Sequence, residues 1–521
     1  MTGQHACSLR RHRVAFLLGV VALTTLVTAA LPSLAFQQTP ARAVHIRIAA
    51  VEPNIKNYDP HKGFSGLEHR VLYAVFDQLV RFDRSGNFVP GLAESWEWPD
   101  ARTLILTLRR GVKFHDGTPF NAEAVVFNFR RIMNPEEQSI VRGEWTGVES
   151  LEIVGEHRVK ITLREPSAAF LASLTDRSGM MVSPTAARQF GEEFGHRPVG
   201  AGPFILQGWV PGSHVTLVRN PDFWEKEFPK ADRITIYQFK ADEPAVRGLK
   251  SGGADFMQGV PAKDVEWVKA SRNFDFIDRP TVSALIMSFN LTRSPADDVH
   301  FRRAIQAAID RRAVLNVVYG GIGQLGASLL PKGFWSVDPV TLAPAYDPAR
   351  ARHHLSLSKY RGEKIGIVVS PDDRIVKTAQ MVQQFLGDVG IQVEITPLPG
   401  PEQLARFFSG REFHGRIGGW SGRPDPHINY FAVIGCGGSF NVPRPRGFCD
   451  PKVEELLAQG SATRDRVQRQ KAYYALDLHL SDQAMLIPLV HESWAVAARK
   501  NLVGFQPYLF GKPIYKEFGV K

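Results

Sequence analysis

The sequence predicts a globular protein of mixed α/β class that is built from several domains. Its 521 residues far exceed the roughly 150 residues of an ordinary domain. Apolar residues make up 44% of the chain and charged residues 22%, a balance typical of soluble proteins rather than disordered, collagen-like or polytopic membrane chains. Segments with alternating apolar and polar residues are interspersed with segments of helical periodicity, so strands and helices are expected to mix along the chain.

The predicted elements follow one another along most of the sequence. Strands are expected where apolar and polar residues alternate or form short apolar runs, at 103–108, 159–163, 215–218, 234–239 and 365–369. Helices are expected where apolar residues recur every three or four positions, at 124–132, 299–309, 311–319, 375–389 and 452–458. Asn121, Asp298 and Asp310 are predicted N-caps, because their side chains can accept a backbone N–H of the first helical turn.

The charge distribution does not indicate a nucleic-acid partner. The chain carries 63 Lys and Arg against 52 Asp and Glu, a formal net charge of +11. This excess is spread over the whole length without a long basic run that could follow a phosphate backbone. Two arginine pairs, at 302–303 and 311–312, are expected on solvated helix faces rather than at an anion site.

The first 35 residues have the pattern of an export signal. Three arginines, at 10, 11 and 13, precede an uncharged apolar run at 14–31, and Ser-Leu-Ala at 33–35 offers a cleavage site. A second possible cleavage site follows position 43. The apolar run has 18 residues, which is the short limit for a membrane span of about 20, so a retained N-terminal anchor is the alternative. We expect residues 1–35 to be removed on export.

Two cysteines, Cys436 and Cys449, remain after that cleavage. They are thirteen positions apart and the segment between them is rich in Gly and Pro. In an oxidising compartment such a pair is expected to form a disulfide, which would stabilise the fold by on the order of 3 kcal/mol. Two unlinked thiols remain the alternative. A metal site is disfavoured because His427 is the only histidine nearby.

The sequence indicates no catalytic residues, no metal ligands and no cofactor. It contains none of the His-Glu-x-x-His, Cys-x-x-Cys, Gly-x-Ser-x-Gly or Gly-x-x-x-x-Gly-Lys-Ser/Thr motifs. A Gly-x-Gly-x-x-Gly sequence occurs at 321–326, but it follows a predicted helix where a dinucleotide site would follow a strand, so we expect a turn there. The many aromatic residues, which include nine Trp and 33 Phe, could supply both a core and the walls of a ligand cleft.

Two neighbouring motifs resemble the signature of the family 5 extracellular solute-binding proteins, the dipeptide and oligopeptide receptors of bacterial ABC importers. They are Val-Pro-Gly-Leu-Ala-Glu-Ser-Trp-Glu at 89–97 and Leu-Arg-Arg-Gly-Val-Lys-Phe-His-Asp-Gly-Thr-Pro-Phe-Asn-Ala-Glu-Ala-Val at 108–125. Further landmarks follow in the same order: Val-Gly-Ala-Gly-Pro-Phe at 199–204, Asn-Pro-Asp-Phe-Trp at 220–224, Phe-Asn at 289–290 and Phe-Arg-Arg-Ala-Ile at 301–305. The resemblance covers essentially the whole mature chain, and the cysteine pair also resembles one found in dipeptide receptors.

The resemblance implies an α/β, two-lobed periplasmic-binding-protein fold of type II topology with an extra domain inserted in lobe I. Lobe I would comprise residues 44–71, 203–288 and 491–521, the inserted domain residues 72–202, and lobe II residues 289–490. The chain would cross between the lobes near Asn290 and near His491, where a hinge would let the lobes close on a ligand.

The function implied by the resemblance is that of a monomeric, non-enzymatic periplasmic receptor. It would bind a peptide or peptide-like small solute and deliver it to the permease and ATPase subunits of an ABC importer. A sensory module that presents its ligand to a membrane receptor and an exported hydrolase are the alternatives.

The segment at 418–430 resembles the loop that lines the ligand cleft in this family. Dipeptide receptors carry an Asp directly after the glycine that follows the loop Trp, and that acid pairs with the amino group of the peptide. Here Trp420 and Gly422 are present but Arg423 stands in place of the acid. Residues 365–375 hold no match for the arginine that receives the peptide carboxylate. Because a guanidinium favours carboxylate or phosphate, we expect an anionic group at Arg423 and an apolar group at Trp420.

Other candidate ligand residues are Asp425, in the same loop, and Tyr58 and Asn54, in an early loop that faces the cleft by analogy. Three alternatives stay open at this stage. Arg423 could pair with Asp425 instead of a ligand, Trp420 could belong to the core, and Asp425 could shape the turn, since Pro-Asp-Pro is typical of turns.

Overall fold

The computed structural model describes residues 43–51, 55, 57–63, 68–84, 86–442, 447–505 and 513–521. The predicted export segment and Asn54 lie outside these ranges. Within them, no helix is both long enough and apolar enough to cross a membrane.

The strands are distributed over the described chain from end to end. They are β1 (His45–Val51), β2 (Val80–Phe82), β3 (Phe88–Pro90), β4 (Ala93–Glu97), β5 (Thr103–Leu108), β6 (Val148–Gly155), β7 (Arg158–Leu163), β8 (Phe204–Val210), β9 (His214–Arg219), β10 (Arg233–Phe239), β11 (Phe256–Gln258), β12 (Phe274–Phe289), β13 (Gln324–Leu325), β14 (Ile365–Val369), β15 (Val393–Pro397), β16 (Gly415–Trp420), β17 (Leu486–Arg499), β18 (Leu502–Val503) and β19 (Gly519–Val520).

The α-helices are concentrated in the second half of the chain. They are α1 (His69–Val75), α2 (Ala122–Met133), α3 (Phe170–Ser173), α4 (Pro184–Phe190), α5 (Asp242–Lys250), α6 (Ala262–Ala270), α7 (Val299–Ala308), α8 (Arg311–Tyr319), α9 (Pro348–Leu357), α10 (Asp373–Gly387), α11 (Gly400–Leu404), α12 (Pro426–Ile434), α13 (Pro451–Ala462) and α14 (Arg466–Asp482). Short 3₁₀ segments occur at Pro135–Glu137, Arg142–Trp145, Arg177–Gly179, Gly191–His196 and Tyr515–Glu517, and a π-helical turn at Ala405–Ser409.

The predicted α/β class is confirmed, and each predicted strand and helix is present with small shifts at its ends. The three predicted N-caps are confirmed as well. The Asn121 side chain accepts the N–H of Ala124, and Asp298 and Asp310 accept N–H groups in the first turns of α7 and α8. The predicted disulfide between Cys436 and Cys449 is present.

An 11-stranded mixed sheet organises most of the described chain. Its order is β15-β14-β16-β12-β17-β11-β1-β10-β9-β8, and β13 pairs with β17 off this path. At one end, β14 runs parallel to both β15 and β16. Separate from this sheet, β4, β5, β7 and β6 form a four-stranded antiparallel sheet, and β2–β3 and β18–β19 form two-stranded pairs.

The two longest strands, β12 and β17, lie side by side at the centre of the large sheet. Their antiparallel pairing is interrupted between Pro280 and Ala284, because Thr281–Ser283 bulge opposite Glu492. The bulge is held by side-chain bonds, since the Thr281 hydroxyl donates to the Glu492 carbonyl at 2.8 Å. A bulge of this kind bends a strand and increases its twist.

The apolar core is divided on the two sides of this bulge. One core contains Val282 and the following part of β12 together with buried residues of α7–α10 and α12–α14, such as Phe301, Tyr430 and Tyr473. A second core contains Tyr58, from the segment before α1, together with residues of β1, α1 and β8–β10, such as Phe204. A third core lies under the four-stranded sheet, where Phe129, Trp145 and Phe170 contact one another edge to face or tilted.

The Gly-x-Gly-x-x-Gly sequence leaves a helix, as expected. After α8 ends at Tyr319 the chain turns and forms the two-residue strand β13, whose Gln324 pairs with His491 of β17. The next helix begins only at Pro348. The segment therefore lacks the strand–loop–helix arrangement of a dinucleotide site.

The expectation of solvated arginine pairs is wrong for one member of each pair. Arg302 and Arg311 are buried, whereas Arg303 is half-buried and Arg312 is exposed. Arg302 donates to the backbone carbonyls of Gln483 and Ala296, and Arg311 donates to those of Pro488, Gln306 and Pro344. Each guanidinium thus connects its helix to distant backbone, at Gln483 or Pro488.

A buried carboxyl gives the core a pH-dependent element. Asp477 of α14 accepts a hydrogen bond from the Tyr430 hydroxyl at 2.6 Å, and its second oxygen has no partner among the described residues. Burial raises the pKa of Asp477 from its ordinary value of 3.8 to about 7, although the Tyr430 bond opposes this shift.

We predict that Asp477→Asn removes a pH-dependent contribution to stability. Because the folded-state pKa is raised, the folded protein holds an extra proton between about pH 4 and 7, and the wild type loses stability as pH rises through this window. Relative to the variant, the loss approaches about 1.4 kcal/mol per pH unit. Urea unfolding followed by Trp fluorescence at several pH values measures this difference. Tyr430→Phe, which removes the opposing bond, should extend the window upward, and parallel profiles for wild type and Asp477→Asn would contradict the prediction.

Candidate functional site

The candidate site lies at the carboxyl edge of the parallel strands β14, β15 and β16. The last residues of these strands are Val369, Pro397 and Trp420. Each strand is followed by a short segment that leads into a helix, α10, α11 or α12. In open α/β sheets, ligands bind outside this edge, because the connecting loops there can present side chains and backbone amides to a solute.

Asn429 organises the loop after β16. Its amide oxygen accepts the Trp420 indole N–H at 2.9 Å and the Arg423 backbone N–H at 2.7 Å. Its amide nitrogen donates to the carbonyls of Arg423 and Asp425, each at 2.7 Å. Because Asn429 is fully buried, four hydrogen bonds from one side chain hold the loop in a single conformation. No sequence pattern indicated a role for Asn429.

Trp420 is buried, with only 6% of its surface exposed. Its indole meets Phe440 nearly edge-on, with ring centroids 5.3 Å apart. It belongs to the first core and pairs with Ala284 of β12, directly beside the bulge. Trp420 therefore contributes to the packing of the first core and also lies next to the central strands.

Gly422 brings the loop into close contact with the bulge. It has a φ of +65°, and a β-carbon at this position would lie 2.4 Å from a side-chain carbon of Val282. A larger residue would be both strained and obstructed. The loop that carries Arg423 is thus fixed against the point where the pairing of β12 with β17 is interrupted.

Arg423 has no ion pair with a carboxylate among the described residues. Its Nη1 donates to the Ser421 hydroxyl at 3.1 Å and to the Gly422 carbonyl at 2.9 Å. Its Cζ lies 5.5 Å from the centre of the Trp420 ring, within the range of a cation–π contact. The guanidinium therefore retains donors for an acceptor from outside the protein.

Asp425 pairs with a different arginine than the one considered in the sequence analysis. Arg469 of α14 donates to both carboxylate oxygens, at 2.7 and 2.8 Å, and the His427 backbone N–H donates at 2.8 Å. Asp425 is buried and is the N-cap of α12. Asp425 therefore has a structural role in the loop, its ligand contact remains a prediction, and Arg423 is left without this acid.

Of the two candidates in the early loop, Tyr58 lies within the described residues and Asn54 lies outside them. Tyr58 is completely buried in the second core, where its hydroxyl accepts a bond from Gln238 at 3.1 Å and its ring lies 4.6 Å from Trp209. The structure thus places Tyr58 in a different core from Trp420. Asn54 lies outside the described residues, so its ligand role remains a prediction.

A further cation at the same edge was not recognised in the sequence. Arg374 lies in the first turn of α10, directly after β14. Burial acts to lower its pKa, but the nearby acids Glu492, Asp372 and Asp242 outweigh this effect, so the pKa of Arg374 is raised. Glu492 is the residue opposite the bulge, so oppositely charged groups meet beside the central strands.

Two shallow surface grooves are formed by described residues, but neither includes the loop at 420–430. One lies beside β15 and is lined by Lys364, Gln380 and Glu394, and the other is lined by Arg130 and Glu149. Within the described ranges, no group of three or more His, Cys, Asp or Glu is placed to hold a metal ion.

Comparison with known proteins gives a consistent result over most of the chain. A sequence model described as bacterial extracellular solute-binding proteins, family 5 middle, matches residues 87–441. The glutathione-binding protein GsiB of Salmonella choleraesuis strain SC-B67 is 28% identical over 480 residues, which cover 89% of this chain and 93% of that protein.

Solved structures show the same fold at low sequence identity. The periplasmic binding protein AgaA of A. tumefaciens R10, in complex with agropinic acid, superimposes with a TM-score of 0.82 at 24% identity, over 92% of this chain and 99% of that chain. The periplasmic binding protein DppA of Helicobacter pylori, in complex with the peptide STSA, gives a TM-score of 0.81 at 22% identity, over 91% and 98% of the two chains.

We predict that Asn429→Ala destabilises the protein by about 2–4 kcal/mol, because it leaves buried groups of Trp420, Arg423 and Asp425 without partners. Thermal unfolding, followed by the fluorescence emission of the Trp residues, measures this loss of stability. Arg423→Ala is the matched control, since its guanidinium bonds only within its own turn among the described residues, and it should change the melting temperature little. Equal melting temperatures for the two variants would contradict this role of Asn429.

Proposed function

Because the chain belongs to the family 5 bacterial extracellular solute-binding proteins, we propose that it is a periplasmic receptor of an ABC importer. In this proposal it captures a peptide or peptide-like small solute that carries an acidic group and passes it unchanged to the membrane permease, which the ATPase subunit drives. The observation that carries the acidic part of the proposal is the Arg423 guanidinium, which has no carboxylate partner among the described residues.

We propose that the ligand binds between two lobes. Lobe I would comprise residues 44–71, 203–288 and 491–521 with an inserted domain at 72–202, and lobe II residues 289–490. The separate first and second cores support the division between lobe I and lobe II, whereas the second core also includes residues of 72–202, such as Phe76 and Phe194. Since Val282 already belongs to the first core, we place the crossing on β12 at the Thr281–Ser283 bulge, a few residues before the boundary that the resemblance suggests.

The bulge would act as the hinge. A few residues there can absorb a change in backbone dihedral angles while the regular parts of β12 and β17 stay paired. The loop that carries Trp420 and Arg423 contacts the bulge through Gly422. A ligand held by this loop and by lobe I would therefore favour the closed arrangement, because it contacts both lobes only when they are close.

The relatives favour an acidic solute for this site. Glutathione, the solute in the name of one relative, is a tripeptide with two carboxylates, and agropinic acid, bound in one related structure, is also an acid. Arg423 stands where dipeptide receptors carry an acid for the amino group of the peptide, so a free ammonium would be repelled there. The relatives reported above are named as binding proteins, and we propose binding without turnover for this chain too.

A thermal-shift screen of the exported protein tests the proposal. The panel contains glutathione, dipeptides, N-acylated and opine-type amino acids and sugars, with esters or amides of the acids as neutral counterparts. A ligand that binds only the folded state raises the melting temperature by mass action. We expect acids to give the largest shifts and mass spectrometry to recover the bound solute unaltered. No shift from any compound, or a chemically changed solute, would contradict the proposed function.

The Arg423 contact has its own prediction. Arg423→Ala should weaken binding of the best acid by about tenfold or more, the expected effect of losing a charge-assisted hydrogen bond, while its neutral ester loses little. Isothermal titration of both compounds against wild type and variant measures the difference. Equal losses for the acid and the ester would show that Arg423 does not bind the acidic group.

A further inference from the structure

A further arginine, Arg416 of β16, points toward the same edge of the sheet. The side chain of Arg416 runs along the strand and places its guanidinium directly over Gly418. A β-carbon at position 418 would lie 2.2 Å from the Cζ of Arg416, so only glycine leaves room for this arrangement. Since Gly418 is two residues before Trp420, the guanidinium extends from the interior of the strand toward its carboxyl end.

The guanidinium of Arg416 is poorly satisfied by the protein itself. Its Nε donates to the Gln403 side-chain oxygen at 2.9 Å, and its Cζ lies 5.9 Å from the centre of the Phe408 ring. No ion pair with a carboxylate is present among the described residues. Burial without a compensating acid lowers the pKa of Arg416 to about 10.

Other arginines of this region have more partners within the protein, although one Nη of Arg311 is also buried without a partner among the described residues. Arg302 and Arg311 donate to several backbone carbonyls each, and Arg469 binds both oxygens of Asp425. Within the described part of the chain, the Arg416 side chain makes one hydrogen bond, from its Nε to the side-chain oxygen of Gln403. Its two Nη groups therefore remain as donors for something else.

Gln403 provides a second, independent donor at the same place. Only 1% of this residue is exposed, and its side-chain oxygen is used by Arg416. Its side-chain nitrogen is buried and has no hydrogen-bond partner among the described residues. A buried donor without an acceptor costs about 1–3 kcal/mol, a cost that an acceptor from a ligand would remove.

Three aromatic rings connect Arg416 to the loop after β16. Phe440 contacts both Trp420 and Phe408, at 5.3 and 5.5 Å between ring centroids. The guanidinium of Arg423 lies over the Trp420 ring and that of Arg416 over the Phe408 ring. The two arginines therefore contact opposite ends of one aromatic series.

We propose that Arg416 and Gln403 together bind an anionic group of the transported solute. This inference rests on the proposed function and extends it: with Arg423 at the other end of the aromatic series Trp420, Phe440 and Phe408, the solute of this receptor carries two acidic groups. A carboxylate suits the site because it can accept from the guanidinium fork and from the amide at once. A phosphate offers the same acceptors and is distinguished by the experiment.

Stability separates this role from a structural one. A buried cation without an acid costs free energy in the ligand-free protein, so replacing it with a neutral residue should not harm the fold. Arg416→Gln is therefore expected to keep or raise the melting temperature of the free protein while it weakens ligand binding. A purely structural Arg416 would show the opposite pattern, a lower melting temperature with unchanged affinity.

The binding experiment uses the best acid of the panel, its esters in which one carboxylate at a time is neutralised, and inorganic phosphate. Isothermal titration should show that Arg416→Gln weakens the diacid roughly 30-fold and one of its monoesters far less. If inorganic phosphate competes with the diacid for wild type but not for Arg416→Gln, the anionic group that this site binds is a phosphate.

Two neighbouring glycines give a matched test that keeps every charge. Gly418→Ala should displace the guanidinium and weaken the diacid at least about fivefold. Gly419→Ala should have no effect, because a β-carbon there meets nothing within 4 Å. The inference would be overturned if these two variants bound the diacid equally well. It would also be overturned if the best ligand were neutral and bound Arg416→Gln as tightly as wild type. Either result would leave the receptor function intact. Failure of all solutes to bind wild type would instead contradict the receptor function itself.

Discussion

The interruption of the pairing between β12 and β17 is the constraint on which the site depends. The bulge at Thr281–Ser283 interrupts the pairing of the two strands, and a second register shift follows between Leu285 and Ile286. The loop after β16 is packed against the bulge through Gly422 and fixed internally by Asn429. In the proposed receptor, a rigid loop next to these irregularities would couple contact with a solute to movement of the lobes.

The way the fold uses its arginines explains why two of them are left for a ligand. Arg469 neutralises Asp425, and Arg302 and Arg311 donate to several backbone carbonyls. Arg423 and Arg416, in contrast, have fewer hydrogen bonds to distant parts of the described chain and contact opposite ends of the aromatic series Trp420, Phe440 and Phe408. Keeping buried or half-buried cations without acids lowers stability, and such a cost is usual at sites that bind charged ligands.

Local patterns were enough to predict ten elements, five of the 19 strands and five of the 14 α-helices in the described chain. The caps of α2, α7 and α8 and the alternation in β5 depend on neighbouring residues, so one stretch of sequence contains the whole signal. The disulfide could be predicted for a similar reason, since its cysteines lie thirteen residues apart. The family signature then supplied the overall fold, which no local pattern could have indicated.

The site could be predicted only in outline, because its contacts connect distant segments. The arginine that pairs with Asp425 is 44 residues away in sequence, so the sequence suggested the nearby Arg423 instead. The carbonyl that accepts from the Arg311 Nε is 177 residues away, so Arg302 and Arg311 were expected on the surface. Arg416 and Gln403 are close in sequence, but only the order of β15, α11 and β16 brings them together. Residues 420–423 were recognised from the family motif, whereas the supporting role of Asn429 became apparent from its four hydrogen bonds.

Small-angle X-ray scattering of the exported protein, with and without a saturating bound solute, tests the account most directly. If the lobes move toward each other about the bulge, the radius of gyration falls and the maximum dimension shortens when the solute is bound, and both return to their starting values when it is removed. Identical scattering curves for the free and the fully occupied protein would contradict a receptor that closes on its solute.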